Sequence, residues 1–209
     1  MKTQPSPSHR RLEDARGMLI DATMESIFRH GIAETSISTI TEIAGLSRGM
    51  VRHYFASKDA MMVAAYEALL AKWKENFYRA REGGPLQRIV RLIETMYTPP
   101  NFDPRDLSVW ISLNAGALHD PKLAAMCSKE TATWLDVFKE EIAAYGEQVG
   151  RSYDTDRIAE TLLAVSDGLW IKHMIEPNRV DQQKALGINT KLLFDMLGIA
   201  GAWQDDKAK

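Results

Sequence analysis

Arg48 and Arg52 stand four residues apart in the run Ser47-Arg48-Gly49-Met50-Val51-Arg52-His53-Tyr54. On a helix this spacing puts both guanidinium groups on one side. An arginine can grip the edge of a guanine with two parallel hydrogen bonds, and a helix fits the major groove of DNA. Gly49 lets a backbone come close to a ligand, and Met50 can touch a thymine methyl. Tyr54 and Lys58 lie at the far end, where phosphate contacts set register rather than sequence. Ser57 and Lys58 also open the next helix, whose backbone donors and dipole favour a phosphate. The plain alternative is a solvated basic surface, with Tyr54 and Phe55 serving the core.

Other chemistry is poorly provided for. The histidines, His9, His30, His53, His119 and His173, have no spacing that suits a metal site. No serine sits in a G-x-S-x-G elbow, and Gly83-Gly84 reads as a helix stop rather than a phosphate loop. His119-Asp120 precedes Pro121 and suits a turn between helices. Asp167 and His173 are six apart and do not face each other on one helix. The sequence therefore predicts no enzyme, no cofactor and no metal. One cysteine, Cys127, excludes an internal disulfide and reads as a packing residue.

Helices must carry these residues, because apolar positions recur at steps of three to five and no stretch alternates. Leu12, Ala15, Leu19, Ala22, Ile27 and Phe28 outline a first helix, which His30-Gly31 ends; a mobile tail of about ten residues precedes it. Thr39-Ile40-Thr41-Glu42 has the form of a capping box, with Ser38 as a competing cap, and Gly45 stops the short helix that follows. Ser47 caps a second short helix through Tyr54, and Ser57 caps a long one from Lys58 to about Arg81. Two short helices joined by a turn with glycine make a helix-turn-helix. Ile40, Ala44, Leu46 and Val51 are its expected buried contacts, with Thr41 at the close approach of the two axes. Further helices are expected over 85–97, 104–118, 121–145, 154–175 and 180–199, with 98–104 a loop. The expectation is an all-α chain of nine helices.

At 45% hydrophobic and 26% charged residues, the chain has an ordinary globular composition. No span-length apolar run and no secretory leader are visible, which points to the cytoplasm and to no membrane partner. The net charge of −2 is uneven: residues 1–58 hold eight Lys/Arg against six Asp/Glu, and the rest eighteen against twenty-two.

The C-terminal half suggests a sensor. Leu162, Leu163, Val165, Leu169 and Ile171, and then Leu186, Leu192, Leu193, Phe194, Met196 and Leu197, give two helices that are apolar on broad faces. Such helices either mate with a second copy or complete their own core. Trp110, Trp134 and Trp170 fall on three helices, with Tyr97 and Phe102 near a loop. They either wall a pocket, which would suit a quaternary ammonium group, or pack the core. Asp106, Asp136 and Asp167 could add a negative field or face solvent; Asp167 interrupts an apolar run.

The run TSISTITEIAGLSRGMVRHYFASKDAM, from Thr35 to Met61, resembles the TetR family of bacterial transcriptional regulators, most densely over Ala44–Met61. The likeness covers residues 12–65, and Thr41 stands where the family usually has alanine. It implies an N-terminal three-helix DNA-binding domain, residues 1–58, and an effector-binding and dimerisation bundle, residues 59–209. It also implies a homodimer on a palindromic double-stranded operator, released when a small-molecule effector binds. By position, Arg48, Gly49, Met50 and Arg52 would face bases, while Ser38, Thr39, Ser47, His53, Tyr54 and Lys58 would hold the backbone. Trp110, His119-Asp120-Pro121 and Asp167-Gly168-Leu169-Trp170-Ile171 are further similar to the choline-responsive repressors of glycine-betaine synthesis. That likeness implies choline or a related amine as effector, with Tyr97, Trp110, Asn114, Trp134, Asp167 and Trp170 as the ligand site. Asn114 stands where that subfamily repeats an aromatic, and it suits a polar ligand. The other reading is a helical protein-interaction module that does not bind DNA.

Overall fold

Leu19, Ala22 and Ile27 lie along one face of the first helix, and that face is buried. The structure, a computed structural model, describes residues 7–79 and 82–199. Helix α1 spans Pro7–Glu34, with a break at Gly31, where φ is 75° and ψ 167°. It starts earlier than Leu12, because proline suits a first helical turn; residues 7–10 are helix rather than tail, and residues 1–6 lie outside the described range. Phe28, expected on the apolar face, is exposed, while Thr23 and Ser26 are buried there instead. Helices α2 (Ile37–Ala44) and α3 (Arg48–Tyr54) follow, and α4 runs over Lys58–Arg79. The remaining helices are α5 (Pro85–Met96), α6 (Pro104–Ala117), α7 (Pro121–Val149), α8 (Thr155–Ile175) and α9 (Gln182–Leu197). Nine helices and no strand occur among the described residues, as the spacing predicts. None of these helices is long and apolar enough to cross a membrane.

The start of α2 corrects the expected cap. Ser36, not Thr39 or Ser38, is the N-cap: its hydroxyl accepts from the Thr39 N–H, and the Ser36 N–H donates to Thr39 Oγ1 at 2.9 Å. Thr39 is thus the third residue of the box. Ser26 Oγ, on α1, lies 3.2 Å from Thr35 Oγ1 and 3.1 Å from Thr39 Oγ1, so tertiary hydroxyl contacts fix this junction. Gly45 closes α2 at φ 64°, a left-handed conformation that glycine adopts without strain, and its N–H caps the helix end.

The chain divides into two compact units. The first runs to Ala71 and includes Ser108–Leu123; the second holds Lys72–Leu107 and resumes at Ala124. In the first, Leu19, Ala22, Ile40, Ala44, Val51, Phe55, Met61 and Ala64 form one apolar cluster, against which Leu46 and Tyr54 pack. This cluster fixes α2 and α3 on α1 and leaves one side of α3 free. In the second unit, α8 packs along α9, and α9 also meets α5. Asp106 is buried there and paired with Lys72 rather than facing solvent. The pairing offsets part of the burial that raises its carboxyl above the ordinary range. Asp136 is exposed, and Asp120 Oδ1 accepts from the Lys122 N–H at 2.8 Å, which starts α7 after the expected turn.

Candidate nucleic-acid interface and effector site

Ser47 opens α3 as its N-cap, with its hydroxyl accepting from the Met50 N–H at 3.3 Å. The cap fixes where the seven-residue helix begins, and buried Val51 fixes its rotation. Arg48, Gly49, Arg52 and His53 then fall on the exposed side, with Met50 half-buried. Arg48 and Arg52 thus share the outward face that their spacing predicts. Gly49 has an ordinary helical backbone, and a Cβ there would only touch Ser47 Oγ at 3.6 Å. Nothing within the chain requires glycine, although glycine in a helix costs about 1 kcal/mol relative to alanine. An outside body that approaches the backbone is a physical reason for it.

A groove of about 490 Å³ opens beside this face, lined by Ala33, Thr35, Ser36, Ile37, Ser38, Arg48, Arg52 and Lys58. Three cations and no carboxylate line it, so its field favours an anion. Arg48 Nη2 donates to Ser38 Oγ at 2.6 Å, and Lys58 Nζ donates to the Ile32 carbonyl at 3.2 Å. Arg52 is exposed and makes no hydrogen bond among the described residues.

Two of the residues expected to hold the DNA backbone are engaged within the chain. The Thr39 hydroxyl donates to the Ser36 carbonyl at 2.9 Å and accepts from the Ser36 N–H, so its bonding capacity serves the cap. Tyr54 is half-buried against the apolar cluster and His53, and its hydroxyl is enclosed with no partner among the described residues.

The six residues expected at the ligand site are distributed over both units. Trp110 and Asn114 belong to the first; each is half-buried, and Asn114 Nδ2 donates to the Trp110 carbonyl at 2.9 Å. Tyr97, Trp134, Asp167 and Trp170 belong to the second. There, two residues that the sequence reading missed organise the aromatics. Trp73 and Phe77, one turn apart on α4, meet Trp170 at a ring separation of 5.2 Å and Trp134 at 4.2 Å. Their four-residue spacing was the available signal. Trp170 Nε1 donates to the Met96 carbonyl at 3.0 Å, while Trp73 Nε1 is buried without a partner among the described residues.

Tyr97 is fully buried in a polar knot. Its hydroxyl donates to Ser166 Oγ at 3.1 Å and accepts from Asn189 Nδ2 at 2.9 Å. Asn189 Nδ2 also donates to Ser166 Oγ at 2.6 Å. Burial pushes the phenol up to about 12, so it stays protonated and able to donate. Asp167 is the neighbour of Ser166 on α8 and is half-buried, and burial alone raises its carboxyl to about 7. Burial disfavours the charged form, so the carboxyl holds its proton to a higher pH than an ordinary aspartate.

Comparison with known proteins agrees with this anatomy. The model of bacterial regulatory proteins of the tetR family matches residues 19–65, and the C-terminal model of BetI-type transcriptional repressors matches residues 85–198. The HTH-type transcriptional regulator BetI of Stenotrophomonas maltophilia is 28% identical, over 81% of this chain and 86% of its own length. Among solved structures, a transcriptional regulator from Pseudomonas aeruginosa shares the fold at TM-score 0.77 and 22% identity, covering 91% of both chains. A transcriptional regulator from Saccharomonospora viridis, solved in complex with choline, does so at TM-score 0.78 and 21% identity, over 87% of this chain and 96% of that one. With the reading helix, its cap and its cationic groove in place, and with a BetI-type C-terminal region spanning more than half of the sequence, the chain belongs to the TetR family of transcriptional regulators.

Proposed function

We propose that this protein is a repressor that grips a palindromic operator as a homodimer and lets go when a small organic cation, choline or a related amine, binds. Residues 1–58 serve as the reading domain and residues 59–209 as the sensing and pairing domain. The observation that carries the reading is the exposed pair Arg48 and Arg52 on α3, beside a groove that Lys58 completes. Arg48, Gly49, Met50 and Arg52 take the base-facing roles, and Ser47, His53 and Lys58 the phosphate-facing ones. Thr39 and Tyr54 support them from inside.

Pairing is supported by the exposed side chains of Ile171 and Ile175 on α8 and Ile188 on α9, since a lone chain leaves these apolar groups in water. The choline assignment is supported by the choline complex of the Saccharomonospora relative, by the half-buried carboxyl of Asp167, and by the aromatic faces of the second unit. The family and the relatives are transcriptional regulators; accordingly we read the chain as non-catalytic and as working in the cytoplasm, where the operator lies.

The test begins with selection of bound duplexes from a random-sequence DNA library. The expected product is an inverted repeat, bound with a steep salt dependence and released by millimolar choline. Recovery of no common sequence, or binding that ignores salt, overturns the DNA-reading assignment in favour of a protein partner. A selected operator that choline and related amines leave bound overturns the effector assignment alone.

A further inference from the structure

We propose that Ser38 is a positioning residue: its hydroxyl sets the direction of the Arg48 guanidinium, and through it the base that each reading head prefers. This rests on the DNA-reading role of α3 proposed above. Arg48 Nη2 donates to Ser38 Oγ at 2.6 Å, and both residues are exposed. The bond joins α2 to α3 across the turn at Gly45, so it links the supporting helix to the reading helix.

The backbone at Ser38 is itself well held. It is the second residue of α2, and its carbonyl accepts from Thr41 Oγ1 at 2.9 Å. The helix start behind it is locked by the Ser36–Thr39 box and by Ser26 on α1. The backbone that carries the Ser38 hydroxyl is therefore anchored from the core of the head, and Thr41 adds to that anchoring through its bond to the Ser38 carbonyl. An exposed arginine otherwise wanders among many rotamers, and ordering such a side chain on binding weakens a contact by about two- to ten-fold. An arginine held beforehand escapes much of that loss.

The geometry leaves the fork usable. A guanidinium has five N–H donors, so one bond to Ser38 leaves four for the two acceptors of a guanine edge. Ser38, Arg48, Arg52 and Lys58 line one groove, so the held guanidinium stays on the cationic side of the head. The competing role for Ser38 is a direct phosphate contact, which carries no sequence information. The two roles separate experimentally.

The experiment uses the full-length protein and the duplex selected by the wild-type chain, with a panel of single base-pair changes in each half-site. S38A, S38T, R48A and the double variant S38A/R48A are compared. The expected result is that R48A abolishes discrimination at one base pair per half-site. S38A lowers discrimination at that same pair by about two- to ten-fold. S38T restores it, and S38A adds nothing to R48A. In the DNA-free protein, relaxation of the Arg48 Nε–H is expected to show a held guanidinium in the wild type and S38T, and a mobile one in S38A. Uniform weakening by S38A on every duplex, the same loss in the R48A background, or no change in Arg48 mobility each overturns the proposal, with Arg48 still a base reader. If R48A itself shows no base-pair-specific loss, the assignment of α3 as reader fails, and the role of Ser38 falls with it.

Discussion

Asp167→Asn tests whether the sensing unit holds a carboxylate without a counter-charge. Burial lifts that carboxyl from 3.8 to about 7, so the folded chain holds its proton more tightly than the unfolded chain does. The stabilising contribution is therefore full below the unfolded value and declines as pH rises to about 7; above that the whole penalty of burying a charge is felt. Linkage between those two values gives a loss of about 2 kcal/mol between about pH 5.5 and about pH 8.5. Solvent reaches one side of the group, and screening brings the working figure to about 1–2 kcal/mol. Asparagine does not titrate, so the variant gains that much on the wild type across the interval. Urea unfolding of both proteins at a series of pH values measures it. The same wild-type-to-variant difference at every pH refutes the reasoning. Ligand binding gives a second reading of the same group. Choline carries a fixed charge, so its affinity is expected to rise about tenfold per pH unit toward 7 and then level off. Its uncharged isostere 3,3-dimethylbutanol is expected to show no such slope, and neither ligand is expected to show one with the asparagine variant.

Lys58→Ala is expected to weaken selected and random duplexes alike and to lower the salt slope by about one, read from mobility shifts at several salt concentrations. Ile175→Glu puts a charge on a side chain that is 67% exposed in the single chain, and sedimentation is expected to show monomers where the wild type forms dimers. Gly146→Ala places a Cβ 2.6 Å from the Arg151 carbonyl oxygen, which forces α7 and the following turn apart; a loss of about 1–3 kcal/mol is expected in thermal unfolding, with operator binding retained at low temperature.

The reading head was legible because its signals are local. Ser47, Gly45 and Ser57 each act within four residues, and each sits where its type demands. The start of α2 was not, because two cap patterns overlap between Ser36 and Glu42. Ser26 on α1 adds a contact to Thr39 Oγ1 that no local pattern displays. The tail was expected to run to about residue 10, but proline at position 7 fits a first turn, and the helix starts there. Asp106 looked like a solvent-facing charge because its partner, Lys72, is 34 residues away. Tyr97 was visible as an aromatic near a loop, but its partners Ser166 and Asn189 come from two later helices. Interruption of an apolar run singled out Asp167, and the same signal applied to α9 would have found Asn189.

The knot of Tyr97, Ser166 and Asn189 has a practical consequence for anyone retuning this sensor to a new inducer. Its three members interlock the end of α5 with α8 and α9, so a single greasy replacement strands the other two polar partners in an apolar interior. Single replacements at these positions are each expected to cost about 1–3 kcal/mol of stability. Libraries that leave the trio untouched keep this interlock of α5, α8 and α9 while other positions are varied.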